Sequence, residues 1–293
     1  MNREKFLDGE TTEERKNWLS GILDALKQKP SDFLSADENL LGGLIGSVLD
    51  DASSGVGALI SSAASRGYRP EDDDSFCDVV VFAAAVGSKR GVPDCSLFLG
   101  DCLIHGRFGL HKDVDKGSAF WNRAMEQGDP RGALRFADFY GSLTDFKKDE
   151  IVLRYCIRAV LIRKNAEAFY RVGDFYFDGR VVGKDRAMAE LLYRRSYNLA
   201  KEEGQDLIRA RAALRLAELK KEKHARIYDS SLALDNSKEA LACYTEAESI
   251  FGSCKTISGL LLKPDLERCR KGIKETREII DRLEGEEPAK GKA

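Results

Sequence analysis

Apolar residues along much of this chain recur at intervals of three and four, the spacing that gathers them on one face of a helix. Trp18, Leu19, Ile22, Leu23 and Leu26 form one stripe. Leu40, Leu41, Leu44, Ile45, Val48 and Leu49 form a second. The sequences Thr11-Thr12-Glu13-Glu14 and Ser35-Ala36-Asp37-Glu38 stand ahead of them as capping boxes, and Pro30 lies beyond the first stripe. A third stripe, Leu266, Cys269, Ile273, Ile280 and Leu283, follows Pro264 and predicts a helix over 265–283 with a charged outer face. The segment 67–74 reads as a polar loop, and 285–293 as a disordered tail.

Between these ends the pattern repeats. Lys112-Asp113, Lys148-Asp149 and Lys184-Asp185 stand 36 residues apart. Eight residues after each Asp comes a large residue (Trp121, Ile157, Tyr193), and eleven after it a smaller one (Ala124, Val160, Ser196). Ahead of each Asp is a hydrophobic residue followed by a small one: Leu99-Gly100, Phe136-Ala137, Val172-Gly173. A weaker copy places Asn236 in the Asp position, followed by Tyr244 and Ala247 and preceded by Leu216-Ala217. Another places Asp74 there, followed by Phe82 and Ala85 and preceded by Ile60-Ser61.

Asp or Asn ahead of an apolar-periodic stretch predicts a helix N-cap, because its side chain accepts from the unpaired N–H groups of the first turn. The large and small residues then share one face of the following helix, and the upstream Gly or Ala allows close helix approach. Each unit is therefore a helix A, a short loop and a helix B. One such hairpin cannot bury its apolar face alone, so units must stack.

The run Leu99-Gly100, Gly106, Gly109-Leu110, Asp113, Lys116, Trp121, Ala124, Gly128 resembles a Sel1-like repeat (SLR), a relative of the tetratricopeptide repeat. Val172-Gly173, Tyr176, Gly179, Val181, Asp185, Ala189, Tyr193 matches again. The resemblance implies an all-α, right-handed superhelix of stacked antiparallel hairpins that scaffolds protein complexes. It predicts a helical segment over 1–53, a repeat solenoid over 54–252 that matches best at 94–200, and a capping helix within 253–284. The second unit departs from the pattern, lacking the loop glycines and carrying Leu153 where the family prefers Ala. The interval from Val172 to Leu216 lengthens to 44 residues, with Gly204 as the expected break, and the fourth unit gains a loop over 221–234.

Composition narrows the function. A net charge of −2 supplies no overall basic field for nucleic acid. No apolar run reaches the roughly 20 residues a membrane-spanning helix needs, and the first ten residues do not form a secretory signal. Seven cysteines without a C-x-x-C pair suit buried thiols in the cytoplasm. Of three histidines, only His105 shares a helix face with a cysteine, Cys102, which is too few ligands for a metal. Neither a phosphate-binding glycine loop nor a nucleophile elbow is present, so no cofactor and no catalysis are expected.

One polar pattern repeats on helix A. It runs Arg135-Phe136-Ala137-Asp138, Arg171-Val172-Gly173-Asp174, Arg215-Leu216-Ala217-Glu218, with Asp101 in the acid place of the first unit and Phe139 and Phe175 after two of the acids. Arg and acid three apart are neighbours on a helix surface. They either tie the stack together as ion pairs or line a concave groove that binds a protein or peptide. Arg135, Asp138, Phe139, Arg171, Asp174, Phe175, Arg215 and Glu218 are the candidate partner-binding residues, and the expected function is a protein–protein scaffold. On the groove reading, reversing the charges of Arg171 and Asp174 leaves stability near wild type and weakens partner capture. Two alternatives stand behind the scaffold. The resemblance allows a bacterial regulatory or host-interaction effector. A hydrolase would need a deep pocket with two perturbed titratable groups.

Overall fold

A computed structural model describes residues 3–10, 12–15, 17, 18, 21, 74–143, 148–224, 230–254 and 259–286. The stripe at 40–49, most of the stripe at 18–26, and the Ile60-Ser61 pair lie outside the described residues. Among those described, every regular element is helical. The chain divides into two compact units, 1–139 and 140–293.

In the first unit a short 3-10 segment, Arg3–Asp8, packs on α1, Asp74–Lys89. Eight consecutive residues of α1, from Val79 to Val86, are buried. Eight residues cover more than two turns, so this helix is enclosed on all sides. Phe6 closes one of those sides. Its ring stacks on Trp18 at 4.8 Å and leans on Phe82 at 5.4 Å. Arg15 lies over both phenyl rings and binds the Asp8 carboxylate at 2.5 Å and the carbonyls of Lys5 and Glu10 at 2.8 Å. Ion pairs from Arg3 to Asp78 and from Lys89 to Glu10 fix the two edges.

The chain then forms α2, Pro93–His105, α3, Val114–Glu126, and α4, Arg131–Gly141. Pro93 begins α2, where its missing N–H costs nothing. Gly106 ends it at φ +68°, in the left-handed region that favours glycine. Asp113 is the N-cap of α3 and accepts from the Lys116 amide at 2.9 Å. That amide holds the Asp113 carboxyl below its usual range. The cap contribution is therefore present above the ordinary carboxylate pKa and is lost as pH falls through the lowered one.

The second unit contains α5, Lys148–Ile162, α6, Ala166–Asp178, α7, Arg186–Glu202, α8, Asp206–His224, α9, Ser230–Ser253, and α10, Gly259–Glu286. Each packs on the next, and α8 also touches α6 and α10. Alternate helices are therefore neighbours, the arrangement of stacked antiparallel hairpins. The turn from helix A to helix B recurs. Gly179 ends α6 at φ +74°, the Asp185 amide returns to the Tyr176 carbonyl at 3.0 Å, and Asp185 caps α7. In the first unit the Asp113 amide returns to Leu103 at 2.9 Å. Gly204, at φ +67°, breaks the chain between α7 and α8.

Six expectations are corrected. Asp149 is not an N-cap, because α5 begins at Lys148 and Asp149 lies in its first turn, 3.6 Å from Arg180. The helix is turned to match. Leu153, Cys156 and Ala159 are buried, while Ile157, expected in the core, is 43% exposed. Tyr155, stacked on Tyr140 at 5.7 Å, holds that rotation. Asn236 is not a cap either. It lies inside α9 and donates back to the Leu232 carbonyl, and much of the expected 221–234 loop is helix. Finally, α10 starts before Pro264 and ends at Glu286, two residues into the expected tail. Proline costs a helix one hydrogen bond, and the buried Leu262 anchors the turn ahead of it.

Asn165 caps α6 through the Ala168 amide at 2.9 Å. Asn165→Ala is expected to lower stability by about 1 kcal/mol, read as a lower urea midpoint. An unchanged midpoint would mean that the Asn165 side chain does not stabilise the start of α6.

Candidate functional site

The repeating chemistry starts where helix A meets the large residue of helix B. A Cβ at Gly100 would strike the Trp121 indole, and one at Gly173 would stand 2.7 Å from the Tyr193 ring. Both aromatic side chains are buried. The small residue of the repeat is thus a seat for an aromatic ring, and the missing Cβ brings the ring's polar tip over helix A.

There the tip meets the acid. Trp121 Nε1 donates to Asp101 Oδ1 at 3.0 Å, and the Tyr193 hydroxyl donates to Asp174 Oδ1 at 2.6 Å. The same acids are gripped by the arginine of the following helix A. Arg135 reaches Asp101 at 3.0 Å, Arg215 reaches Asp174 at 2.9 Å, and Arg268 reaches Glu218 at 2.7 Å. The recurring unit is an acid held by an aromatic donor of its own hairpin and a guanidinium of the next. The Glu218 rung lacks the aromatic donor, and Arg215 joins it at 3.2 Å.

Burial sets the electrostatics of the Asp174 rung. It pushes the Asp174 carboxyl above its usual range, opposed by Arg215 and the Tyr193 hydroxyl. It also lifts Tyr170 to about 12. The Arg215 charge is disfavoured by burial but supported more strongly by Asp174 and its neighbours. The Arg215 contact is an ion pair in which Nε makes no hydrogen bond, so the charge-assisted hydrogen bond of this rung is the one the Tyr193 hydroxyl donates to the Asp174 carboxylate.

The candidate residues fall into four groups. Arg135, Asp174, Arg215 and Glu218 belong to these clamps. Arg171 binds Glu167 on its own helix at 2.5 Å. Arg135 and Asp138 are exposed, and Phe139 is half-buried with its ring 6.2 Å from Trp121. Phe175 is not a groove residue, because it is only 3% exposed and lies beneath Arg180.

A cleft of about 520 Å³ opens in the second unit beside the last rung. Phe177 and Tyr244 supply its aromatic surface, with Arg215, Lys221, Arg268 and Lys271 as cations and Glu218, Glu222 and Glu275 as anions. Gly272 completes it, and a Cβ there would strike the Tyr244 ring. Arg186 and Arg215 lie 3.8 and 4.7 Å from the Phe177 centroid. Lys221 pairs with Glu275, and Glu222 pairs with Arg186 at 2.7 Å. Lys271 is 78% exposed and lies 3.9 Å from Glu275. The Lys221 hydrogen bond holds Glu275 below its usual pKa, and burial raises Tyr244 above its own. Both therefore keep their ordinary charge at neutral pH, so neither is poised to move a proton there.

Arg268, Lys271 and Gly272 escaped the sequence reading. The run Arg268-Cys269-Arg270-Lys271 puts a cation where earlier helices carry the acid, so the repeated signature is absent. The surviving signal is Arg268 itself, next to a buried apolar residue, Cys269. Among the described residues, no group of three or more His, Cys, Asp or Glu is placed to hold a metal ion. None of the described helices is long and apolar enough to cross a membrane.

No protein-family model matches the sequence, and no curated protein matches it. The fold is similar to that of a Sel1 repeat protein from Oxalobacter formigenes, at 21% identity over 74% of this chain and 83% of that one, with a TM-score of 0.42. It is also similar to a protective antigen present in uropathogenic Escherichia coli strains that displays an SLR fold. That match has 14% identity over 78% of this chain and a TM-score of 0.42, and the chain spans 50% of the antigen structure. Both are Sel1-repeat proteins, the family whose motif the sequence resembles.

Proposed function

We propose that this helical-repeat chain is a scaffold that holds a segment of a partner protein in the cleft of its second unit. The observation that carries this reading is the cleft itself. Neighbouring helices α8 and α10 present cations and anions around two aromatic rings in about 520 Å³. Such a surface offers a peptide apolar contact together with donors and acceptors for its backbone and charged side chains. In the first unit, the exposed Arg135 and Asp138 offer contacts of the same class. A reducing cytoplasm suits the cysteines, of which Cys77, Cys95, Cys102, Cys156 and Cys269 are buried.

Lys271→Glu tests the proposal, because Lys271 is exposed and only loosely paired. In affinity purification from the native organism with mass spectrometry, the wild type is expected to retain a partner that the variant loses, at an unchanged melting temperature. Equal recovery by both proteins would contradict binding in the cleft.

A further inference from the structure

The rotation of α5 leaves a second surface, on the side of that helix away from its buried Leu153, Cys156 and Ala159. Ile157 and Leu161, one turn apart, are 43% and 79% exposed. Arg154 and Arg158 lie on the same stripe, since 154, 157, 158 and 161 follow the helical spacing. Arg163 and Lys164 extend it just past the end of the helix, and both are exposed. The one exposed carboxylate over 150–164 is Glu150, which pairs with Arg154 at 3.3 Å. Among the described residues, no ion pair engages Arg158, Arg163 or Lys164. Four cations against one anion make this a basic patch in a chain of net charge −2.

The corresponding face of α3 is different. Beyond Val114 at its first position, its exposed residues Asp115, Lys116, Ala119, Asn122, Arg123 and Glu126 mix both charges and contain no pair of large apolar side chains one turn apart. An exposed helix B therefore does not require an apolar stripe in this protein. A single exposed leucine needs no explanation, but an apolar pair within uncompensated cations does.

We infer that the exposed face of α5 docks an acidic amphipathic helix of a partner protein. The partner's apolar residues, three or four apart, would pack on Ile157 and Leu161, while flanking carboxylates meet Arg158, Arg163 and Lys164. Opposite charges beside an apolar seam select partner and orientation, as they do between paired helices. A second copy of this chain fits poorly, because a two-fold contact of α5 with itself sets arginine against arginine. A lipid surface fits less well than a helix. Interfacial helices bury a wide apolar face, whereas the other face of α5 is already used in the core.

This inference does not depend on the cleft, and its test uses different residues. The probe is a synthetic helix-forming peptide with leucines four apart flanked by glutamates, titrated into the full chain and followed by fluorescence anisotropy. A peptide with lysines in place of the glutamates is the control. Wild type is expected to bind the acidic peptide and not the basic one. Leu161→Ser and Arg158→Glu should each weaken binding by about tenfold, roughly 1.4 kcal/mol, with unchanged thermal unfolding because neither side chain is in the core. The effect of Arg158→Glu should shrink at high salt. Equal binding by wild type and both variants overturns the inference. It is also overturned if these substitutions instead abolish self-association in sedimentation, or binding to phosphatidylserine vesicles, while leaving the peptide titration unchanged.

Discussion

Gly173→Val is expected to destabilise the second unit by about 3 kcal/mol. A Cβ at this position would stand 2.7 Å from a Tyr193 ring that is fully buried and cannot swing aside. The ring is also fixed at its far end, where its hydroxyl binds Asp174 at 2.6 Å. Relief would have to come from backbone separation of α6 and α7, which breaks that hydrogen bond as well. Gly252→Ala is the control, because nothing lies within 4 Å of its Cβ position near the end of α9. Helix propensity alone then makes it neutral or stabilising by up to about 1 kcal/mol. Urea denaturation of the two variants checks this. If Gly173→Val unfolds at the wild-type midpoint, the aromatic seat does not hold the hairpin closed.

The second large effect is expected at Asp174→Ala. Asp174 and Arg215 are each less than a fifth exposed, so removing the carboxylate strands a mostly buried guanidinium. Breaking a buried pair on one side costs about 3–5 kcal/mol. The loss should fall near the lower bound, because Glu218 still contacts Arg215 at 3.2 Å. The Tyr193 hydroxyl also loses its acceptor. By the same reasoning, charge reversal at Arg171 and Asp174 should melt the protein well below wild type, instead of leaving it near wild-type stability as the groove reading expected. A circular-dichroism melt of Asp174→Ala and of the reversed pair decides between those outcomes.

The hairpins were legible in the sequence because each rests on a local rule. Asp113 and Asp185 cap helices, Gly106 and Gly179 end them, and Trp121 and Tyr193 recur on one face. The same local rules failed where a tertiary contact decides. Lys148-Asp149 has the look of its neighbours, yet the start of α5 and the Tyr140–Tyr155 stack turn the helix by about one residue. Ile157 consequently faces outward and Cys156 inward. Pro264 reads as a boundary until Leu262 is seen to be buried ahead of it.

The site was legible only as a list of residues. Arginine and acid three apart on one helix predict an intrahelical pair, and Arg215 with Glu218 forms one. The larger pattern joins different helices, with Asp101 meeting Arg135, Asp174 meeting Arg215 and Glu218 meeting Arg268. Spacing along one helix cannot reveal which helix lies beside it. Nor could it reveal that the conspicuous aromatics stand over these acids, since that follows from the depth of the glycine seats.

Successive repeats are joined by an acid of one and an arginine of the next, and a double-mutant cycle across Asp174 and Arg215 tests this most directly. Unfolding free energies of wild type, Asp174→Ala, Arg215→Ala and the double variant would be measured in urea. The predicted coupling is about 2 kcal/mol, with the double variant far less damaged than the sum of the single ones. Single effects that add to within about 0.5 kcal/mol would mean that the two side chains lie close without joining the repeats.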